Sequence, residues 1–149
     1  MYKKILVPLD GSELAECALS HVTNLVKKDP ASEVTLLNVV KVELLPQASG
    51  VIDINAIRAE LFTESRKYLA GAESRLASEG IAVKTESLEG TRPAETISDY
   101  AQKKGIDLII LATHGYTGLK KLMFGSVALS ILHDSHIPML LIRPETSRK

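Results

Sequence analysis

Five short strand-forming segments alternate along this chain with four segments of helical periodicity, and this alternation limits the fold more than any other feature. The strand candidates are Ile5–Leu9, Val34–Val40, Ala82–Glu89, Asp107–Thr113 and Pro138–Ile142. Four are nearly continuous apolar runs, as expected for strands covered on both faces. Strands that alternate with helices form a parallel sheet with helices on both faces. The sequence therefore predicts one α/β domain over residues 1–149.

The polarity of the third strand predicts the strand order. A polar strand suits a sheet edge, so Ala82–Glu89 is placed there. If the first three strands wind in one direction, the order is 3-2-1-4-5 and the winding reverses between strands one and four. Open parallel sheets bind ligands at this reversal, outside the carboxyl ends of the strands. The last strand, Pro138–Ile142, is very apolar for an edge, which predicts a homodimer in which a second copy covers it.

Helix boundaries are indicated by capping residues and by prolines. Ser12 is the expected N-cap of a first helix that ends near Lys28, and a long second helix is predicted over Ala56–Ser78. Pro93 is the expected first position of the third helix, and the fourth is predicted to begin at Gly125–Ser126. The segment Lys41–Asn55 between strand two and helix two is predicted to be a long loop.

Composition excludes several classes of partner. Lys and Arg total 18, as do Asp and Glu, so no net charge draws the chain to nucleic acid or to an acidic membrane. A single cysteine, Cys17, excludes an internal disulfide and fits a reducing compartment. No apolar run approaches the ~18 residues that span a bilayer. We expect a cytoplasmic protein that binds neither nucleic acid nor membranes.

Two loops meet at the predicted reversal, Leu9–Ser12 and Ala112–Gly118. The second contains Gly115 and Gly118, and glycines followed by a helix N-terminus suit an anion because backbone N–H groups converge there. Ser126 would then cap the helix or donate its hydroxyl to a phosphate. The alternative is that the glycines only turn the chain.

Other residues near these loops permit ligand contacts but do not assemble a catalytic site. Asp10 could accept hydrogen bonds from a ribose or a base, could help to hold a metal, or could only cap its own turn. Val39 offers an apolar wall for a base, although a core position explains it equally. His114 could touch a phosphate or could face solvent. The P-loop and dinucleotide fingerprints are both missing after the first strand. No catalytic residue and no metal ligand is predicted.

The chain resembles the small single-domain universal stress proteins along nearly its whole length. The resemblance is carried by the segments ILVPLDGSE, VTLLNVV, GTRPAETI, DLIILATHGYTGLKKLMFGSVA and PMLLIR. The nucleotide-binding branch of that family carries the pattern Gly-x2-Gly-x9-Gly-Ser/Thr. This chain departs from it only in having Ala112 at the first glycine, from which we expect weaker or unchanged binding.

The resemblance implies an ATP ligand, with or without Mg²⁺, in a Rossmann-like fold of the adenine nucleotide alpha hydrolase type, with the order 3-2-1-4-5 and a dimer through the last strand. It implies that Asp10 and Val39 contact ribose and adenine, that Ser126 donates its hydroxyl, and that Gly118 keeps the turn of the loop. The backbone of four residues would surround the phosphates: Ala112, Gly115, Gly125 and Val127. The predicted site is completed by Pro8, Leu9, Ser12 and His114.

The expected function is a dimeric stress-response sensor whose nucleotide state alters a partner contact. One alternative is an enzyme that hydrolyses ATP slowly or phosphorylates itself, with Ser126 as the candidate acceptor. A second alternative is a nucleotide-free dimeric interaction module, to which only Ala112 points.

Overall fold

A computed structural model describes residues 2–12, 15–43, 53–113 and 123–143. Its five strands are β1 (Lys4–Pro8), β2 (Glu33–Val40), β3 (Lys84–Glu89), β4 (Leu108–Ala112) and β5 (Met139–Ile142). Its four α-helices are α1 (Ala18–Lys28), α2 (Ile54–Ala77), α3 (Pro93–Lys103) and α4 (Met123–Asp134). A short 3-10 turn, Ala15–Cys17, precedes α1.

The strands form one parallel sheet in the order β3-β2-β1-β4-β5, which confirms the predicted topology. Crossovers between parallel strands are right-handed. Since β1 to β3 wind in one direction and β4 and β5 in the other, α1 and α2 lie on one face of the sheet and α3 and α4 on the other. The carboxyl ends of β1 and β2 therefore open between α2 on one side and α3 on the other.

The apolar strands are buried as their sequences predict. The residues of β4 are all buried, and so are four of the five in β1. The polar strand β3 is largely exposed or half-buried and lies at an edge, whereas β5 forms the opposite edge. Burial of the apolar strands between two helical layers supplies the main favourable free energy of such a fold.

Two predicted helix starts are wrong. Ser12 does not cap α1, because α1 begins only at Ala18 and the 3-10 turn Ala15–Cys17 intervenes. Ser126 is not an N-cap either, since α4 already begins at Met123. A glycine inside a helix costs only about 1 kcal/mol, so Gly125 could be included in α4 rather than mark its start.

Helix α2 begins two residues before the predicted start because Asp53 caps it, accepting hydrogen bonds from the N–H groups of Asn55 and Ala56. Most of the predicted loop Lys41–Asn55 lies outside the described residues. None of the helices in the described ranges is long and apolar enough to cross a membrane.

Candidate functional site

A cavity of about 120 Å³ lies at the carboxyl ends of β1 and β2, covered by the first turn of α3 and by α4. Nine residues line it: Pro8, Leu9, Asp10, Leu37, Val39, Lys41, Pro93, Ile97 and Val127. Small-molecule sites in proteins commonly measure about 300–1,000 Å³, so this cavity would enclose only part of a nucleotide and the rest would extend outside it.

Strand β2 presents an unpaired backbone donor and acceptor to this cavity. In a parallel ladder, alternate residues direct their N–H and C=O groups to the same neighbouring strand. The carbonyl of Leu37 accepts from Leu9 on the β1 side, and that of Val40 accepts from Gly90 on the β3 side. The N–H and C=O of Val39 therefore point toward β1, but β1 ends at Pro8, which is opposite Leu37. No backbone group in the described ranges pairs with Val39 on that side.

The side chain of Asn38 explains why the ladder stops there. Its Nδ2 donates to the carbonyl oxygen of Leu9 at 2.8 Å, the acceptor that a further rung of the ladder would have used. Its Oδ1 accepts from Ser65 Oγ of α2 at 2.6 Å, and Ser65 Oγ lies 2.6 Å from Ser87 Oγ of β3. This network joins the end of β1 to α2 and β3 and holds Leu9 in place beside the cavity.

Asp10 forms a tight turn at the edge of the cavity. Its Oδ1 accepts the N–H of Ser12 at 2.9 Å and the Ser12 hydroxyl at 2.6 Å. Gly11 between them has φ +90°, a conformation that glycine adopts without steric cost. The second oxygen, Asp10 Oδ2, is buried and has no hydrogen-bond partner. The carboxylate thus caps its turn, which is one of the three roles considered from the sequence, and its second oxygen is left for another partner.

Beyond Asp10, a second cavity of about 290 Å³ opens on the α2 face of the sheet. Asp10, Val39 and Lys41 line both cavities, while Ser65 and Tyr68 of α2 line only the second. Burial raises the pKa of the Tyr68 phenol, and the carboxylates of Glu16 and Asp10 raise it further. The backbone N–H of Gly11 opposes this shift. The hydroxyl of Tyr68 nevertheless has no partner in hydrogen-bonding geometry.

On its other side the 120 Å³ cavity adjoins an open groove of about 640 Å³ between α3 and α4. Pro93 and Val127 line both spaces, and Ser126 and Arg92 line the groove. Ser126 is exposed on α4. This position fits the expected direction of the phosphates, since Ser126 and Val127 follow the glycine loop in sequence.

The structure brings together five of the predicted site residues, namely Pro8, Leu9, Asp10, Val39 and Val127. Ser12 adjoins them through Asp10, and Ser126 lies next to Val127. Ala112 is buried at the end of β4, paired with Ile142, and does not line the cavity. Gly125 lies in α4, whereas His114, Gly115 and Gly118 lie outside the described residues.

Four residues of the cavity wall were not predicted from the sequence: Leu37, Lys41, Pro93 and Ile97. The sequence marks Pro93 only as a helix start. The strand order places α3 on the same face as Val39, so a position one turn into that helix could have been proposed. The Lys41 ammonium pairs with Glu43 at 3.3 Å and is half-exposed. Among the residues that the structure describes, no group of three or more His, Cys, Asp or Glu could hold a metal ion.

Comparisons with known proteins agree on one family. A family model described as "Universal stress protein family" matches residues 1–143. Universal stress protein MJ0531 of Methanocaldococcus jannaschii is 34% identical over 143 residues, covering 96% of this chain and 83% of the relative. Universal stress protein YxiE of Bacillus subtilis is 33% identical over 150 residues, covering 96% of this chain and all of the relative.

Solved structures show the same relationship. The structure of MJ0577, also from M. jannaschii, superposes with a TM-score of 0.77 at 32% identity and covers 99% of both chains. Two more distant structures share the fold, and their descriptions name nucleotides. One is a universal stress protein in complex with cAMP, at 17% identity and a TM-score of 0.58. The other is an Arabidopsis thaliana family protein with AMP bound, at 15% identity and a TM-score of 0.67.

Proposed function

The chain belongs to the universal stress protein family, and we propose on that basis that it binds ATP at the carboxyl edge of its sheet, with adenine in the 120 Å³ cavity. The observation that carries the proposal is the unpaired N–H and C=O of Val39 at an otherwise apolar cavity. Ligand sites in proteins commonly combine apolar walls with a few polar groups that orient the ligand. Two distant members with cAMP and AMP bound support an adenine nucleotide as the ligand class.

The chemistry of Val39 fits adenine in particular. The edge of adenine that pairs with thymine carries an amino donor beside a ring acceptor, and the Val39 backbone offers an acceptor and a donor in return. Guanine carries a carbonyl in place of the amino group, so it would set one acceptor against another. An unmatched buried polar group costs about 1–3 kcal/mol, which favours ATP over GTP by about tenfold or more.

The remainder of the nucleotide would leave the cavity beside Asp10 and Val127. Asp10 is proposed to contact the ribose, or a Mg²⁺ ion that accompanies the phosphates, through its unpaired Oδ2. The phosphates are proposed to lie toward Ser126, in the first turn of α4. Backbone N–H groups at a helix N-terminus favour bound anions. The glycine-loop contacts with Gly115 and Gly125 remain part of this proposal.

We further propose that the protein acts as a cytoplasmic homodimer whose bound nucleotide alters a partner contact. The dimer is supported by β5, an edge strand whose Leu141 is 44% exposed. An apolar edge strand readily pairs with another strand. The opposite edge, β3, has the polar sequence KTESLE and is not suited to that role.

Titration of nucleotide-free protein tests the proposed site. We expect ATP to bind with a micromolar Kd, about −8 kcal/mol, and GTP to bind at least tenfold more weakly. The variant Val127→Phe places a ring in the cavity wall and is expected to abolish ATP binding. Leu129→Phe is the matched control, because Leu129 lies on the same helix with 68% of its surface exposed. ATP affinity that is undetectable in the wild type, or unchanged in Val127→Phe, would overturn the proposal.

A further inference from the structure

Two buried polar atoms without a partner lie at the wall of the 290 Å³ cavity on the α2 face. They are Asp10 Oδ2 and Tyr68 Oη, the only buried side-chain oxygen or nitrogen atoms among the described residues that lack a hydrogen bond. Nearly all buried polar groups in folded proteins are paired, so two unpaired atoms at one cavity point to a ligand that completes them. Asp10 also lines the adjoining 120 Å³ cavity.

The neighbouring polar side chains cannot complete these two atoms. Asn38, Ser65 and Ser87 already bond to one another, and Asn38 also bonds to the carbonyl of Leu9. The other oxygen of Asp10 accepts from Ser12. Arg75 pairs with Glu16, the other carboxylate near Tyr68, at 3.0 Å. The backbone N–H of Gly11 near Tyr68 can only donate, so a partner for Asp10 Oδ2 and for the proton of Tyr68 has to come from outside this network.

The two atoms together select a hydroxyl group. The Asp10 carboxylate can only accept a hydrogen bond, whereas the Tyr68 phenol is protonated at neutral pH and has a proton to donate. A hydroxyl can donate to the first atom and accept from the second. An ammonium group can only donate, and a phosphate would meet the like charge of Asp10. One ligand hydroxyl satisfies both atoms.

We infer that Asp10 Oδ2 and Tyr68 Oη jointly bind one ribose hydroxyl of the nucleotide, which makes Tyr68 a specificity-determining residue for ribonucleotides over deoxyribonucleotides. This inference rests on the proposed function, since it places the base in the 120 Å³ cavity. Asp10, Val39 and Lys41 line both cavities, so a sugar attached to that base lies beside the shared wall. Lys41 is half-exposed and Glu64 is exposed, so both lie on the solvent side of the cavity. The discrimination between ribonucleotides and deoxyribonucleotides therefore depends on the two buried atoms.

The test compares the affinities of ATP, 2′-deoxyATP and 3′-deoxyATP in three proteins. In the wild type we expect one of the deoxynucleotides to bind about tenfold more weakly than ATP, because the missing hydroxyl removes two hydrogen bonds. In Tyr68→Phe the ratio of the two affinities is expected to fall to about threefold, since only Asp10 still forms a hydrogen bond with the hydroxyl. Tyr100→Phe is the matched control, because its hydroxyl contacts Thr35 on the α3 face and lies outside both cavities; it is expected to keep the tenfold ratio.

The outcomes separate this inference from the proposed function. If ATP binds but the wild type does not discriminate, or if Tyr68→Phe discriminates as well as the wild type, the inference is wrong and the nucleotide site stands. The same conclusion applies if an ordered water rather than the ribose completes the two atoms. If no nucleotide binds the wild type, both proposals fall. Asp10→Asn provides a second variant, because an amide in that position weakens the same discrimination without removing the tyrosine.

Discussion

Replacement of Asn38 by alanine should destabilise the fold more than any other single change in the polar network beside the cavity. Asn38 makes two short hydrogen bonds, one to the carbonyl of Leu9 at 2.8 Å and one from Ser65 at 2.6 Å. Leu9 is only 1% exposed, so water cannot readily replace the lost donor. Ser65 keeps its contact with Ser87 and is therefore affected less.

The expected loss follows from these bonds. A buried carbonyl left without a donor costs about 1–3 kcal/mol, and the lost Ser65 bond contributes a further ~0.5–1.5 kcal/mol. The sum is about 1.5–4.5 kcal/mol, a large part of the 5–15 kcal/mol that is typical of a domain. For a chain of this size the loss corresponds to a fall in Tm of roughly 3–18 °C. Because Leu9 and Asp10 line the cavity, ATP affinity should fall as well.

Urea unfolding followed by circular dichroism measures this loss directly. Ser87→Ala is the matched control, because Ser65 can still donate to Asn38 and the carbonyl of Leu9 keeps its donor. We expect that control to lose less than about 1.5 kcal/mol. If Asn38→Ala were no less stable than Ser87→Ala, the carbonyl of Leu9 would not depend on Asn38 and the reasoning would be refuted.

Two further predictions concern the sheet edges. In sedimentation analysis, Leu141→Lys on β5 should convert a dimer into a monomer. The control Thr85→Lys, at the exposed β3 edge, should leave the dimer intact. A wild type that sediments as a monomer would contradict the proposed interface. The hydrogen bond from Arg58 lowers the pKa of Glu89 below the ordinary glutamate value of about 4.3. The stability that this ion pair adds should therefore be present at neutral pH. It should be lost as the pH falls through the lowered pKa. A double-mutant cycle with Arg58→Ala and Glu89→Ala at pH 7 and pH 3 measures the coupling free energy of this pair. A coupling free energy that is the same at pH 3 as at pH 7 would contradict the lowered pKa of Glu89.

The topology was predictable because it depends on the average polarity of whole strands. Strand β3 is polar and strands β1, β2 and β4 are apolar, and this contrast, together with winding of the first three strands in one direction, predicts the observed order. The alternation of side chains along β2 then places Val39 on the α3 face and Asn38 on the α2 face. Such properties are carried by several residues at once and tolerate local exceptions.

The roles of individual polar groups were not predictable in the same way. Tyr68 was not among the predicted site residues, because helical periodicity describes the direction of a side chain and not the partner of its hydroxyl. The bonds of Asn38 to Leu9 and Ser65 join segments far apart in the chain. The two helix starts were misplaced because a 3-10 turn separates Ser12 from α1 and because α4 already begins at Met123, before Gly125.

A crystal structure of the protein with Mg-ATP would test the central claim most directly. We expect the adenine ring between Val39 and Ile97, with its amino group and ring nitrogen bonded to the C=O and N–H of Val39. The ribose should lie within hydrogen-bonding distance of Asp10 Oδ2, and the phosphates should be directed toward Ser126. A nucleotide bound elsewhere, or one bound here with the Val39 backbone left unpaired, would contradict the account.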